Sequence, residues 1–173
     1  MNGNCHFVNG AALSTAAVMN LDKITTILPN ITNSPETATL FILGGLIGGI
    51  FPDIDNPNSY MGHLASPVSN VIGKTNELFG KNGSNHRGIL HDPIVYIAGL
   101  ILSYLFFSPL VGFFVGCLSH IFLDMFNPKG VPFLLFFKIR LGKFNSGETG
   151  SIIFTWICVV IVITAGILIH NLL

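Results

Sequence analysis

Charge is the property that this sequence most lacks. Only 9% of its 173 residues are charged, whereas a soluble domain of ordinary composition carries about a quarter. Half of the residues are hydrophobic and the formal net charge is zero. This composition excludes an ordinary soluble domain and indicates an integral membrane protein. The zero net charge also argues against a nucleic-acid partner, because binding to phosphates requires a basic surface.

Cysteine is scarce as well. Cys5, Cys117 and Cys158 are odd in number and far apart, which excludes a disulfide framework and a cysteine-based zinc knuckle. We therefore predict that the three thiols are small packing residues. Lys and Arg are missing before the first apolar stretch, and this argues against a cleaved signal peptide.

Long apolar segments are what the sequence does contain. Five of them can be placed, at about 6–20, 36–51, 93–107, 109–126 and 151–172, and only the last is clearly long enough to span a bilayer. Ser34 and Asp92 each precede a proline and are predicted N-caps. We therefore predict an all-α fold: one integral membrane domain over residues 1–173, with about five hydrophobic helices and a metal site at one membrane face.

The distribution of basic residues predicts the orientation of these helices. If the segments alternate in direction, residues 1–6, 52–92 and 127–150 lie on one side of the membrane. Seven of the eight Lys and Arg residues, all but Lys23, then lie on that side. The positive-inside rule predicts that this side is cytoplasmic. The Phe-rich basic stretch PFLLFFKIRLGKF (132–144) is typical of an interfacial amphipathic segment that faces lipid headgroups.

The same alternation gathers side chains that bind divalent cations. His120 and Asp124 stand four residues apart and share one helical face. Asp124 falls in the last turn of its helix, where the helix dipole disfavours a carboxylate and no Lys or Arg is near in sequence. Asp53 and Asp55 likewise follow an apolar helix, although a turn would explain one of them. The candidate metal ligands are His6, Asp53, Asp55, His86, His91, His120 and Asp124.

Other residues near these motifs have different predicted roles. Arg87, between two histidines, is a candidate clamp for a phosphate or carboxylate. Asp92 is better explained as the helix N-cap, and His63 and His170 are not predicted ligands. With no obvious Ser, Thr or Cys nucleophile, we predict a water activated by two or three divalent ions, with Asp53 or Asp55 as general base. Zinc is favoured by the histidine content, and manganese or iron would also tolerate this set of ligands.

At these residues the sequence resembles the YdjM family of bacterial inner-membrane proteins. The matching pieces are His6, GGIFPDIDNPNS (48–59), NHRGILHD (85–92) and GCLSHIFLDMFNPKGV (116–131). The resemblance implies a multi-pass protein of the bacterial inner membrane with metal-dependent hydrolase activity. It places the ligands on the seven residues named above. The His120–Asp124 helix with separate His and Asp ligands is also similar to zinc-dependent phospholipase C, which has a trinuclear zinc site.

Three functions remain open from the sequence. The first is hydrolysis of a phosphoester or ester of a membrane lipid or its headgroup. The second is a metal transporter or sensor, against which the clustering of ligands at helix ends argues, because transport sites usually lie near the bilayer midplane. The third is a non-catalytic membrane scaffold with a structural metal site, although such sites are closed and rarely use many oxygen ligands.

Overall fold

The computed structural model describes residues 3–79, 88–134, 137–145 and 147–172. These residues form eight α-helices and one two-stranded sheet, which confirms the predicted all-α membrane bundle. The helices are α1 (Gly3–Met19), α2 (Leu21–Ile27), α3 (Pro35–Ile50), α4 (Tyr60–Leu64), α5 (Ser66–Phe79), α6 (Pro93–Phe106), α7 (Val111–Met125) and α8 (Thr149–Leu172). Short 3₁₀ turns lie at Phe51–Asp55, Ile89–His91 and Ser108–Leu110, and the strands are β1 (Val131–Phe133) and β2 (Phe137–Ile139).

Within the described ranges, three helical stretches are long and apolar enough to cross a membrane. They are Pro35–Asp55, Ser108–Met125 and Thr149–Leu172, while α6 is apolar but shorter. The expectation that only the last segment has spanning length was therefore too strict. The 3₁₀ turns at Phe51–Asp55 and Ser108–Leu110 continue α3 and α7 and supply the missing length.

The helices begin where the sequence signals predicted. The hydroxyl of Ser34 accepts a hydrogen bond from the backbone N–H of Thr37 at 3.2 Å, and Pro35 follows at the first helical position. The carboxylate of Asp92 accepts from the N–H of Ile94 at 3.1 Å and starts α6 in the same way. Both predicted N-caps are confirmed, because a capping side chain satisfies an N–H that the helix cannot.

Helix α3 lies between α1 and α7, and its glycines allow both neighbours to approach closely. A Cβ atom at Gly49 would lie 2.7 Å from the carbonyl oxygen of His6 on α1. A Cβ atom at Gly44 would lie 2.7 Å from the backbone nitrogen of Phe113 on α7. Small residues are the usual means of bringing helix backbones together in a membrane, where lipid is as apolar as leucine. The GGLIGG run of α3 therefore packs α1, α3 and α7 into the centre of the bundle.

The two ends of the bundle differ in chemistry. At one end an apolar cluster of Leu21, Ile31, Phe41 and Val111 forms the core. There the Lys23 ammonium also donates to the last carbonyl groups of α8, at Ile169 and His170. At the opposite end, the first turns of α1, the 3₁₀ turns beside α3 and α6, and the last turns of α7 converge on the candidate metal ligands.

Two regions formed structure that the sequence patterns did not indicate. Residues 56–91 looked like a polar, Asn- and Gly-rich connection, yet α4 and α5 occupy much of it. The basic 132–144 stretch, together with Val131, forms an antiparallel pair of strands in which Val131 pairs with Ile139 and Phe133 with Phe137. Both regions lie beside the metal-ligand end of the bundle.

Candidate metal centre

Four separate elements deliver the candidate ligands to one place. His6 lies in the first turns of α1, Asp53 and Asp55 in the 3₁₀ turn after α3, and His91 in the 3₁₀ turn before α6. His120 and Asp124 occupy the last turns of α7. All are almost fully buried except Asp53, which keeps 15% of its side chain exposed. A cluster of ionisable groups this deeply buried is costly unless its charges are paired or bind a cation.

His120 is oriented by the backbone of α3. Its Nδ1 lies 2.8 Å from the carbonyl oxygen of Gly49 and must donate the proton, because a carbonyl can only accept. Gly49 is in the last turn of α3, where carbonyl groups lack a helical partner. The other ring nitrogen, Nε2, is buried and has no hydrogen-bond partner among the described residues. His120 therefore presents a lone pair toward the cluster, and a metal ion is one partner that would satisfy it.

The spacing of the atoms around His120 fits a shared cation. Its Nε2 lies 3.6 Å from Oδ1 of Asp53 and 3.9 Å from Oδ2 of Asp124. These separations are long for hydrogen bonds. Ligand atoms bound to one tetrahedral zinc at about 2.1 Å stand roughly 3.4 Å apart. The observed spacing is therefore closer to that of neighbouring metal ligands than to that of hydrogen-bonded pairs.

His91 lies between carboxylates on both sides of its ring. Its Nδ1 is 3.4 Å from Oδ2 of Asp55, and its Nε2 is 3.6 Å from Oδ1 of Asp53 and 3.8 Å from Oδ2 of Asp124. Burial by itself would lower the pKa of His91, but the adjacent Asp53 and Asp55 carboxylates outweigh it and raise the pKa to about 9. Without a metal ion, a proton on His91 therefore offsets part of the negative charge of the cluster.

His6 completes the cluster from α1. Its Nε2 lies 3.4 Å from Oδ1 of Asp124, on the opposite carboxylate oxygen from the one that faces His91 and His120. The rings of His6 and His120 stack with their centroids 3.7 Å apart. Asp124 thus has one oxygen toward His6 and the other toward the remaining histidines, which is an arrangement that suits a bridging carboxylate.

Two groups of three side chains in the described part of the chain could hold a metal ion. One consists of His6, His120 and Asp124, and the other of Asp53, His91 and His120. Within each group the ligand atoms lie within 4.8 Å of one another. Mixed imidazole and carboxylate ligands suit zinc, manganese or iron. Three protein ligands would also leave a coordination position for water or substrate, as in catalytic zinc sites.

The other residues from the sequence analysis have distinct positions. Asp55 is completely buried, belongs to neither of these groups, and accepts from the backbone N–H of Gly88 at 3.4 Å. His63 and His170 are exposed and belong to neither group. His86 and Arg87 lie outside the described residues, so their predicted roles stay predictions.

Two backbone contributions were missed by the sequence analysis. The carbonyl of Gly49 orients His120, and the N–H of Gly88 contacts the Asp55 carboxylate. A signal for the first was present, since GG immediately precedes IFPDID and any carbonyl at that helix end needs a donor. No side-chain pattern would have indicated the second.

Together, the fold and the site define a helical membrane protein with a buried His/Asp cluster that could hold a metal ion. The chain belongs to the YdjM inner membrane protein family, whose model matches residues 1–172. The family resemblance found in the sequence is thereby confirmed, as is the membrane location.

Individual relatives cover part of the chain. It is similar to inner membrane protein YdjM of Escherichia coli (strain K12) and of Shigella flexneri, each 38% identical over 93 residues. The match covers 49% of this chain and 43% of each relative, so less than half of those proteins is represented. No solved structure matches the chain.

Proposed function

We propose that this protein is a membrane-bound metal-dependent hydrolase that cleaves a phosphoester or ester of a lipid or its headgroup. The observation that carries the proposal is the buried Nε2 of His120, which has no hydrogen-bond partner in the described ranges and points into a set of His and Asp ligands. A lone pair buried in this way is costly unless a hydrogen-bond donor or a cation satisfies it, and the surrounding His and Asp side chains favour a cation.

The ligand roles follow from which atoms face the common space. We assign His6, His91, His120, Asp53 and Asp124 as ligands and Asp55 as the residue that orients His91. Carboxylates commonly accept the second ring N–H of a metal-binding histidine and hold it in one tautomer. His86 is a further predicted ligand, and Arg87 is the predicted clamp for the anionic group of the substrate.

The number of ions depends on His120, because its Nδ1 is committed to Gly49 and its Nε2 can bind only one ion. The two ligand groups share His120. They would therefore describe either alternative positions of one ion or two ions that these residues would hold together, with His120 bound to one of them. We favour two ions, because the two oxygens of Asp124 face different histidines. Zinc remains the preferred metal.

The chemistry proposed for the site is attack by water. A divalent ion held by these ligands would lower the pKa of a bound water molecule toward neutrality. Asp53 is the ligand with exposed surface, so substrate and water reach the cluster past its carboxylate. We assign Asp53 as the general base that accepts the proton of the attacking water. Asp55 is less suited to this role, because it is fully buried against His91.

The orientation of the site in the membrane is part of the proposal. Five of the six Lys and Arg residues that the structure describes, all but Lys23, lie in the segments that flank the ligand end of the bundle. Lys23, the exception, is at the opposite end and is hydrogen-bonded to the end of α8. By the positive-inside rule the site faces the cytoplasm, at the level of the lipid headgroups.

The test uses full-length protein reconstituted in lipid nanodiscs. Metal content is measured by mass spectrometry, and the release of phosphorylated headgroup from phospholipids and of fatty acid from acyl-ester substrates is followed in parallel. We expect about two equivalents of metal and product release in the wild type, and loss of both in His120→Ala. His63→Ala is the matched control, because this histidine is exposed and outside the cluster. Metal-free wild-type protein that is correctly folded would overturn the proposal.

A non-catalytic scaffold with a structural metal site is the second candidate. It is favoured by the near-complete burial of His6, His91, His120 and Asp124. The exposed part of Asp53 favours the hydrolase instead, because a structural site is closed. The same experiment separates the two: metal that is bound stoichiometrically with no turnover of any substrate would support the scaffold. Turnover of a lipid ester by the wild type that is lost in Asp53→Asn, but not in His63→Ala, would support the hydrolase.

A further inference from the structure

The β1–β2 hairpin beside the metal centre has two chemically different faces. Residues directly opposite each other in an antiparallel pair point to the same side. Val131 with Ile139 and Phe133 with Phe137 therefore form one apolar face. Pro132 with Lys138 lies on the other face, and Arg140 follows two residues after Lys138. The hairpin is thus apolar on one side and basic on the other.

The base of the hairpin is fixed to the bundle. Val131 is fully buried in a cluster with Tyr96, Cys117 and Ile121. The chain that leaves β2 hydrogen-bonds to the end of α7, where the N–H of Leu141 donates to the Met125 carbonyl at 2.7 Å. The N–H of Phe144 donates similarly to Phe126 at 3.0 Å. The hairpin is therefore rigidly attached to the helix that carries His120 and Asp124.

Apolar side chains in the hairpin and just after it are exposed. Phe137 is 66% exposed, Leu134 is 47% exposed and Leu141 is 59% exposed. In a chain with membrane-spanning helices on both sides of this segment, such residues are suited to the boundary between headgroups and acyl chains.

The charge of this segment is entirely basic. Lys129, Lys138, Arg140 and Lys143 are all exposed, and no acidic residue occurs in sequence between Asp124 and Glu148. Glu148 accepts a hydrogen bond from Asn145 at 2.7 Å. The chain as a whole has zero net charge, yet four positive charges are concentrated between residues 129 and 143.

We propose that this hairpin binds anionic phospholipid headgroups, with Lys138, Arg140 and Lys143 at the phosphates and Phe137 and Leu134 at the acyl boundary. An anionic lipid offers both chemistries that the hairpin displays, a negative headgroup and an apolar chain. An acidic soluble protein would match the charges and leave the apolar residues in water. The binding is independent of the proposed hydrolysis and holds whether or not the metal centre is catalytic.

The experiment places one tryptophan on the hairpin. Phe137→Trp is combined with Trp156→Phe, so that residue 137 carries the only indole of the full chain. The protein is reconstituted in vesicles that contain a minority of brominated phosphatidylglycerol or, separately, brominated phosphatidylcholine, and fluorescence quenching is measured. Electrostatic attraction at an anionic surface is worth about fivefold in affinity for each basic residue. We expect at least a fivefold preference for phosphatidylglycerol.

Matched variants identify the residues responsible. Changing Lys138, Arg140 and Lys143 together to glutamine is expected to abolish the preference, so that the two brominated lipids quench the indole about equally. Lys74→Gln removes another exposed cation, on α5, and is expected to leave the preference unchanged. Equal quenching by both lipids in the parent protein would overturn the proposal. So would the emission of a water-exposed indole that neither lipid quenches, or a preference that survives in the triple variant.

Discussion

Oδ2 of Asp55 lies 3.4 Å from Nδ1 of His91, and both side chains are completely buried. The opposite nitrogen of the same ring faces Asp53 and Asp124. The pair therefore has the form of a carboxylate–histidine–metal relay, in which the carboxylate fixes the tautomer and leaves the other nitrogen for the ion. Asp55 therefore lies on the opposite side of the His91 ring from Asp53 and Asp124, although the sequence did not distinguish it from Asp53.

The first prediction concerns this relay. Asp55→Asn keeps the shape of the side chain and removes its charge, so His91 loses the acceptor that holds its orientation. We expect metal affinity to fall about 10- to 100-fold while the protein stays folded. Affinity is measured by competition with a chromogenic chelator, and Asp22→Asn, at the far end of the bundle, is the control. An unchanged affinity would show that Asp55 does not position His91.

The second prediction concerns the contact between α1 and α3. A Cβ atom added at Gly49 would lie 2.7 Å from the His6 carbonyl, so α1 must move away and carry His6 from Asp124. We expect Gly49→Ala to cost about 1–3 kcal/mol in the free energy of unfolding and to reduce bound metal. Thermal unfolding in detergent and metal analysis measure the two effects.

The control for that variant is Gly3→Ala on α1, where an added Cβ atom meets nothing within 4 Å. It should match the wild type in melting temperature and metal content. If both alanine variants behave alike, close approach of the helices is not what positions His6.

The third prediction separates packing from ligation at Cys5. This thiol is adjacent to His6 in sequence, but it packs with Leu123, Phe154 and Cys158 in an apolar cluster. Cys5→Ala should therefore leave metal content unchanged and lower stability by about 1 kcal/mol, since it removes only a small buried group. Metal analysis beside thermal unfolding checks both parts, and a loss of metal would instead make Cys5 a ligand.

The fourth prediction concerns the end of the bundle opposite the metal centre. The Lys23 ammonium donates to the Ile169 carbonyl at 2.5 Å and to the His170 carbonyl at 2.8 Å, at the end of α8. Basic side chains stabilise helix C-termini in this way. In Lys23→Met we expect faster hydrogen exchange in the last turn of α8 and no change near the metal centre. Lys74→Met is the matched control. Equal hydrogen-exchange rates for the last turn of α8 in the two variants would show that Lys23 does not stabilise this helix end.

The sequence predicted well those features that depend on composition or on interactions between residues close together in the chain. The membrane class follows from composition, and the starts of α3 and α6 follow from Ser34–Pro35 and Asp92–Pro93, whose capping bonds span two or three residues. The face shared by His120 and Asp124 follows from helical periodicity alone.

Helices α4 and α5 show why other parts were missed. Their exposed apolar residues Tyr60, Leu64, Val68 and Val71 do follow a helical spacing. The intervening Asn, Gly and Ser residues have low helix propensity and conceal this pattern. Packing against the 3₁₀ turn that carries Asp53 and Asp55 favours the helices, and packing is not visible in local sequence.

The sequence by itself determined a helical membrane protein of this family, with His and Asp residues gathered at one end of the bundle. Hydrophobic length and capping act within one segment, and the side of the membrane follows from the order of the segments along the chain. None of these requires knowledge of tertiary contacts. Tertiary structure alone decided that Gly49 orients His120, that Asp55 stands behind His91 and that Asp124 faces histidines with both oxygens. These relationships join atoms up to 118 positions apart in the sequence, from His6 to Asp124, and arise only when glycine-mediated packing brings α1, α3 and α7 together.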